Sequence, residues 1–437
     1  MLKGNVLFII KSCASNDEIA DVVFLPPLGL MSIATVLETN GYDVKVLDYS
    51  LELMNSGKLV SLINEFKPLY VGVSSYTENI DENIELCKYI KKNFKNLPVL
   101  IGGPHPTVDS EYCKRKKIID FISVGEGEST NLLVAEALRT NQKLIKFSEI
   151  DDLIYYSKEE KKFISNDCSQ YIKNLDLLPI VKRHYIKHSL EGQLTTIFSS
   201  RGCPGRCIYC AASFMSGSKY RIRDIESVFL ETLMLLKLVD YKSEMYFCDD
   251  TFTAISKRVL RFLELIDEAN ISMRWRCESR VDVMEKNRFI IDEMAKRGCN
   301  RVQYGIESGN QNVLDNIFKS LNVSVVEDII QYTVSRGIRV AASFIFGHYC
   351  DTKETMQDTL DLMVRLKDKC KNMIEIFFSY NTPFPGTYQY VHRDELGIRF
   401  TISKYSEMTM LDPVMETDNF DGKDLLAFGQ KAQALMI

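Results

Sequence analysis

The chain has 437 residues, of which 46% are apolar and 26% charged, a balance that fits a soluble globular protein of two or three domains and excludes a disordered one. Its 54 basic and 59 acidic residues leave a net charge of −5, so the chain carries no electrostatic footprint for nucleic acid. Twelve cysteines, scattered except for one cluster, do not make a disulfide framework.

No uncharged apolar run reaches the roughly 18 residues that a membrane span needs. The opening Met1-Leu2-Lys3-Gly4 runs directly into an apolar strand, so no secretory leader is expected, and a reducing cytoplasmic setting suits the thiols. Strand-like runs at 6–10, 44–49, 70–74, 98–102 and 120–124 then alternate with helical patterns at 28–37, 59–66 and 80–94. That alternation predicts a doubly wound α/β unit with a parallel sheet.

Ligands of such units sit outside the carboxyl ends of the strands. The residues there are Ser74-Ser75-Tyr76-Thr77, Gly102-Gly103-Pro104-His105-Pro106 and Gly125-Glu126-Gly127-Glu128. Glycines at two strand ends let a bulky ligand approach the backbone, and the hydroxyls of Ser74 and Ser75 can meet its polar edge. The same residues also read as ordinary turns. Gly125-x-Gly127 is not a dinucleotide fingerprint, because the third glycine is missing and it follows the fifth strand.

Two strand-like runs, 153–156 and 162–164, flank the charged tip Ser157-Lys158-Glu159-Glu160-Lys161 and predict a hairpin in a connector. Beyond it lies Ser199-Ser200-Arg201-Gly202-Cys203-Pro204-Gly205-Arg206-Cys207-Ile208-Tyr209-Cys210, three thiols in a short, glycine-loosened loop after a β-prone run. Three thiolates suit a cubane iron–sulfur cluster with one open iron, whereas structural zinc takes four ligands. A zinc reading needs a fourth ligand such as His184, His188 or Cys248.

After the loop the β/α alternation resumes. Strands are expected at 244–248, 272–277, 300–305, 340–346 and 375–380, with helices including 289–297, 325–336 and 355–367. With the strand before Cys203 this makes six β/α units, enough for a partial (β/α)6 barrel. Function in such barrels sits at the carboxyl ends of strands, where the sequence places Asp249-Asp250, Glu278-Ser279-Arg280, Ile306-Glu307-Ser308, Gly347-His348 and Asn381-Thr382-Pro383. Asp249 and Asp250 also read as helix caps, and Glu307 as a solvated strand-end acid. Cys248, Cys277, Cys299 and Cys350 read as small buried side chains. Arg274 and Arg276 alternate with the only tryptophan, Trp275, and the sequence does not say which of the three face the core.

The C-x3-C-x-Φ-C pattern of Cys203, Cys207, Tyr209 and Cys210 resembles that of radical SAM enzymes, and together with the strand ends the resemblance covers nearly the whole chain. It implies that the three cysteines hold a [4Fe–4S] cluster, that its open iron takes S-adenosylmethionine, and that Tyr209 lies near the adenine. The same resemblance implies cofactor contacts for Glu307, Ser279, Arg280, Asp249, Asp250 and Gly347. The 381–387 segment is similar to the P-x-P-G-T stretch near the end of this barrel.

The N-terminal stretches Leu25-Pro26-Pro27-Leu28-Gly29-Leu30, Gly41-Tyr42-Asp43-Val44, Ile101 to Pro106 and Gly125 to Glu128 resemble cobalamin-binding domains attached to such enzymes. That resemblance implies cobalamin contacts from Ser74, Ser75, Gly102, Gly103, His105, Gly125 and Glu126. The D-x-H-x-x-G motif that supplies a histidine below the cobalt is absent, since none of histidines 105, 184, 188, 348 and 392 stands in it. Either the cobalt has no protein imidazole, or the domain keeps the fold without the cofactor.

The implied organisation is a cobalamin-binding Rossmann-like domain at 1–145, a hairpin-containing connector at 146–188, a radical SAM barrel at 189–395 and a short C-terminal segment at 396–437. The implied activity is reductive cleavage of S-adenosylmethionine to a 5′-deoxyadenosyl radical, with methylation of an unactivated carbon or phosphorus of a small-molecule or peptide substrate through methylcobalamin. A donor such as flavodoxin or ferredoxin supplies the electron. A ring-forming or rearranging enzyme, like the anaerobic magnesium-protoporphyrin monomethyl ester cyclase, shares the architecture. A non-catalytic cobalamin- or redox-responsive binding protein is the non-enzymatic reading. Methylthiolation is disfavoured by the lack of a second three-cysteine cluster.

Overall fold

Strand β1 (Asn5–Ile10) is buried along nearly its whole length, as a central parallel strand covered on both faces must be. The computed structural model describes residues 2–11, 25–48, 56–168, 171–185, 195–217, 219–239 and 244–436. Tyr49 and His188, each part of an expectation above, lie outside these residues. The chain divides into two compact units, Met1–Gln193 and Leu194–Ile437.

In the first unit β1 pairs in parallel with β2 (Asp43–Asp48) and β3 (Val71–Ser74), followed by β4 (Val99–Gly102) and β5 (Phe121–Ser123). The order β2-β1-β3-β4-β5 is that of a doubly wound sheet whose switch point lies between β1 and β3. The hairpin of β6 (Leu153–Ser157) and β7 (Lys162–Ser165) is not part of a separate connector. It adds to β5 antiparallel, with Ile122 opposite Ile154, and extends the first sheet to seven strands. The cause is the apolar inner end of the hairpin, where Leu153 and Ile154 are buried and are covered only if β6 joins the sheet.

The second unit carries β8 (Thr195–Ile197), the short pair β9 (Ser200–Arg201) and β10 (Arg221–Ile222), then β11 (Met245–Phe247), β12 (Trp275–Ser279), β13 (Cys299–Glu307), β14 (Arg339–Phe346) and β15 (Ile374–Tyr380). Strands β8, β11, β12, β13, β14 and β15 form one sheet in sequence order, every pair parallel. That is the six-stranded open barrel expected from the alternation. Strand β12 begins at Trp275, not at 272, because its ladder starts where the Trp275 N–H donates to Gly298 O at 3.1 Å.

Trp275 is core, fully buried against Phe247, Phe252 and Phe262 in edge-to-face contacts, and its indole N–H donates to Arg297 O at 2.7 Å. Arg274 is exposed, and Arg276 lies over the Tyr246 ring. Cys277 and Cys299 are buried, as expected of small apolar side chains, whereas Cys248 and Cys350 are half-buried.

The short C-terminal stretch 396–437 packs on the barrel unit. Helix Gly422–Gln433 buries Leu425, Phe428 and Ala432 in the barrel unit's core, and Phe428 stacks on Phe346 at the end of β14. No helix among the described residues is long and apolar enough to cross a membrane. Replacing Phe262, whose ring touches four aromatic neighbours, by alanine is expected to destabilise the second unit by about 3–5 kcal/mol in denaturant unfolding.

Candidate functional site

A loop that gathers three sulfurs has little regular hydrogen bonding of its own, so its fixed points must come from neighbouring elements. Antiparallel pairing of β9 with β10 closes the loop at its base. Gly202 adopts φ +88°, where a Cβ would overlap Lys219 O, so only glycine fits. Ile208 N–H donates to Ile317 O at 3.2 Å, and Gln389 N–H donates to Ile208 O at 3.2 Å.

Asp249 secures the entry. Its carboxylate accepts from Ser199 N–H at 2.7 Å, from Ser200 N–H at 2.8 Å and from the Ser199 hydroxyl. Arg258 closes this network from behind, donating to Ser199 Oγ at 2.9 Å and Ser199 O at 2.8 Å. Burial pushes the Asp249 pKa up, opposed chiefly by the Ser199 hydrogen bond. Asp250 behaves differently. It is solvent-accessible, yet its position among the strand ends raises its pKa, first by desolvation and then by the charge of Asp249.

The thiols meet donors. Gly205 N–H donates to Cys203 Sγ and Ala212 N–H to Cys210 Sγ, each at 3.4 Å, while the Thr251 hydroxyl lies 3.4 Å from Cys203 Sγ. N–H···S bonds of this kind stabilise thiolate ligands and set cluster potentials. Arg280, clamped by Asp282 at 2.9 and 3.2 Å, lies against the loop: a Cβ on Gly205 would stand 2.6 Å from Arg280 Nη1 and 3.3 Å from Cys203 Sγ. Burial works against the Arg280 charge, but Asp282 and the nearby thiols outweigh it and hold the guanidinium above its usual pKa range.

Burial pushes the Cys210 thiol up to about 12, and a coordinated metal removes that obstacle by deprotonating the thiol outright. Among the described residues no three His, Cys, Asp or Glu side chains converge on a single-ion position. Of the possible fourth zinc ligands, Cys248 directs its thiol to Ile197 O at 3.3 Å and His184 meets Glu38 within the first unit. Three thiols on one short loop, two of them accepting backbone N–H groups, fit an iron–sulfur cluster carried by Cys203, Cys207 and Cys210.

Glu307 closes β13 at a register shift, with φ +72°, a backbone region that non-glycine residues rarely adopt. Its carboxylate accepts from Lys319 Nζ at 2.8 Å, and both groups are buried. Desolvation works to lower the Lys319 pKa, yet Glu307 and Cys207 raise it above the usual value. Tyr209, between the second and third cysteines, has its phenol pKa pushed well up by burial and then by Glu307. Its ring centroid lies 5.3 Å from that of His348.

Ser279 is buried and bonds Thr253 Oγ1 at 2.5 Å. Gly347 adopts φ +83° with Leu425 against it, and both its N–H and that of His348 donate to Asp351 Oδ2, at 3.1 and 2.8 Å. The structure thus brings Cys203, Cys207, Tyr209, Cys210, Arg280 and Glu307 together. Asp249 and Ser279 are instead taken up in bonds beneath them. Sequence reading singled out no role for Lys319 or Thr251, and named His348 only as a strand-end residue. Thr251 directly follows the aspartate pair and His348 directly follows a strand-end glycine, but nothing in the spacing marks Lys319.

In the first unit the strand ends form a small-residue edge. Gly103, at φ +101°, packs on Ser75, a Cβ there standing 2.9 Å from Ser75 O, and Ser75 N–H donates to Gly102 O at 2.9 Å. Asn83 binds Ser74 O and Ser75 Oγ. Gly125, at φ +72°, has open space where its side chain would be, which leaves its backbone approachable by a ligand. The Glu126 carboxylate accepts from Ile172 N–H at 2.7 Å. His105 is fully buried, bonded to Thr77 Oγ1 at 3.2 Å, and burial pulls its pKa down to about 4. Its imidazole is engaged inside the fold. The open Gly125 backbone and the small residues beside it fit a large, flat cofactor such as cobalamin.

Comparison with known proteins bears on both units. Residues 22–135 match the B12 binding domain model, and residues 197–363 match that of the Radical SAM superfamily. The chain is 29% identical over 414 residues to an uncharacterized methyltransferase of Pyrococcus horikoshii, covering 93% of this chain and 86% of that one. It is 26% identical to a cytidylyl-2-hydroxyethylphosphonate methyltransferase of Streptomyces wedmorensis, covering 74% and 68%. Its fold is that of the radical S-adenosylmethionine methyltransferase TsrM of Kitasatospora setae, solved with cobalamin and a [4Fe–4S] cluster bound, at a TM-score of 0.78, 18% identity and coverage of 100% of this chain and 91% of that one.

Two outcomes test the local electrostatics. Lys319→Met leaves Glu307 buried without a partner and is expected to cost about 3–5 kcal/mol in denaturant unfolding, most of it recovered when Glu307→Gln is added. Asp351 has its pKa raised by burial to about 6. Its folded value lies above the unfolded one, so its contribution to stability is fully present below about pH 4 and is lost as pH rises through about 6. Asp351→Asn should flatten the stability–pH curve between those limits, by roughly 2–3 kcal/mol, in melts recorded across that range.

Proposed function

The chain belongs to the radical SAM enzymes that carry a B12-binding domain, and from that membership we propose that it is a cobalamin-dependent methylase acting on an unactivated carbon or phosphorus of a small-molecule or peptide substrate. The observation that carries the reading is the cysteine loop. Two of its three thiols accept backbone N–H groups, Cys203 from Gly205 and Cys210 from Ala212, with the Thr251 hydroxyl beside Cys203 and the Arg280 cation against the loop. When bound, the cluster supplies the electron that cleaves S-adenosylmethionine to a 5′-deoxyadenosyl radical, and cobalamin supplies the methyl relay.

The chain's own work is to bind and orient. Cys203, Cys207 and Cys210 hold the cluster, Arg280 and Lys319 offset its negative charge, and Glu307 and Tyr209 border the S-adenosylmethionine position. Gly347 brings backbone close to the same mouth. Ser74, Ser75, Gly102, Gly103, Gly125 and Glu126 form the edge on which cobalamin rests. His105 is turned inward to Thr77, so its imidazole is engaged within the fold and is not among the residues that would hold cobalamin. We assign cobalamin binding to 1–145 and the radical chemistry to 189–395, with an electron donor of the flavodoxin or ferredoxin type in a reducing cytoplasm.

The test needs no knowledge of the methyl acceptor. Anaerobically reconstituted protein, given cobalamin, strong reductant and S-adenosylmethionine, is expected to release 5′-deoxyadenosine and to convert cob(I)alamin to methylcobalamin with one S-adenosylhomocysteine. The Cys203→Ala, Cys207→Ala, Cys210→Ala triple variant should lose both the brown chromophore and 5′-deoxyadenosine. Formation of 5′-deoxyadenosine with no S-adenosylhomocysteine would move the assignment to the ring-forming chemistry of the cyclase type.

A further inference from the structure

One face of the barrel sheet is left uncovered. Side chains along β12 alternate between its faces. Trp275 and Cys277 are buried on the outer one, Trp275 against Phe262 of the helix Ser256–Glu268, while Arg276 and Glu278 project from the inner one. A parallel sheet covered on both sides buries both sets. Here the inner set stays accessible on four neighbouring strands: Arg276 and Glu278 on β12, Gln303 on β13, Ser343 on β14, and Phe377, 39% exposed, on β15.

Two charges on this face are not matched within the fold. Further round the sheet Glu375 is met by Arg301 at 2.7 Å and by Arg339 at 2.6 Å. Arg276 instead lies over the Tyr246 ring, 4.1 Å from its centroid, and its buried Nε has no hydrogen-bond partner among the described residues. The Glu244 carboxylate stands off at 3.9 Å. Glu278 accepts a hydrogen bond from the hydroxyl of the same tyrosine. A cation and an anion thus share one neutral residue, and among the described residues no ion pair joins them. Their protonation equilibria agree with this. Burial pulls the Arg276 pKa down. Burial pushes that of Glu278 up, opposed by the Tyr246 hydroxyl and reinforced by the charge of Asp250. Each group would be eased by a charge of opposite sign close at hand.

A ligand with both signs on one small head meets both needs. Arg276 and Glu278 are two strand residues apart, about 6.5 Å between Cα atoms, and an α-amino acid carries its ammonium and carboxylate on a single carbon. A singly charged ligand leaves one of the two protein charges unmatched, and an uncharged one leaves both. Phe377 adds apolar surface on the same face for the rest of such a molecule.

Resting on the methylase reading above, we propose that this inner face binds the methyl acceptor and selects an α-amino acid head group, its carboxylate on Arg276 and its ammonium on Glu278, with an apolar side chain toward Phe377.

Three probes that share a benzyl group test the assignment. L-Phenylalanine carries both charges, phenethylamine only the cation and 3-phenylpropionate only the anion. They are titrated into full-length, cluster-loaded protein without reductant, at saturating S-adenosylmethionine so that its own amino-acid end occupies the cluster. L-Phenylalanine is expected to bind about tenfold or more tighter than either singly charged probe. Arg276→Gln should erase its advantage over phenethylamine and keep that over 3-phenylpropionate, and Glu278→Gln should do the reverse. If either variant folds poorly, the wild-type ranking alone decides.

The proposal is overturned if L-phenylalanine does not bind, or if either singly charged probe binds as well as it does. A ranking that both variants leave unchanged also overturns it, and reduces Arg276 and Glu278 to buttresses of Tyr246. A preference for the doubly charged probe, with no S-adenosylhomocysteine formed once reductant is added, would sink the methylase reading and leave the site in place. S-Adenosylhomocysteine and 5′-deoxyadenosine formed by a protein without that preference would do the opposite.

Discussion

The constraint on which the second unit turns is that a loop holding three sulfurs cannot satisfy its own backbone. Everything that fixes it is borrowed. Asp249 takes up the N–H groups of Ser199 and Ser200 before the first cysteine, Ile317 and Gln389 grip Ile208 from either side, and the β9–β10 pair closes the base. These contacts come from the ends of three barrel strands and from the segments that follow them. The cysteine geometry is therefore a property of the closed sheet, and damage to the barrel should reach the cluster before it reaches any single ligand.

Charge follows the same logic. Glu307 and Lys319 would each be costly to bury alone, and together they form a matched pair at the strand-end bulge. The pair is bought with backbone strain at Glu307, which sits at φ +72° while Gly305 leaves room for the carboxylate to turn back. Arg280 and Lys319 thus bring positive charge to a loop that, once its thiols ionise, becomes strongly negative. The arrangement favours a bound anionic cluster over the empty loop.

The first unit solves a different problem. It keeps one sheet edge low and open by placing serine and glycine at successive strand ends, and it turns its one strand-end histidine inward to Thr77. A cofactor with a large flat face would meet backbone and small hydroxyls there, with little side-chain bulk in the way.

Much of this was legible in the residues themselves. The alternation of apolar runs with helical patterns determined the two β/α layouts, because period and length survive without any knowledge of partners. The spacing of Cys203, Cys207, Tyr209 and Cys210 determined the candidate cluster site, because all four lie within one turn of loop. What only the tertiary structure decided were the pairings between distant positions. Asp249 belongs to Ser199 and Ser200 about fifty residues earlier, Lys319 to Glu307 across the short helix Gln311–Asn316, the 153–165 hairpin to β5, and the last helix to the end of β14. His348 is the sharpest case. Its burial, and the lack of a partner for its ring nitrogens among the described residues, are facts about the space around it that no local pattern encodes.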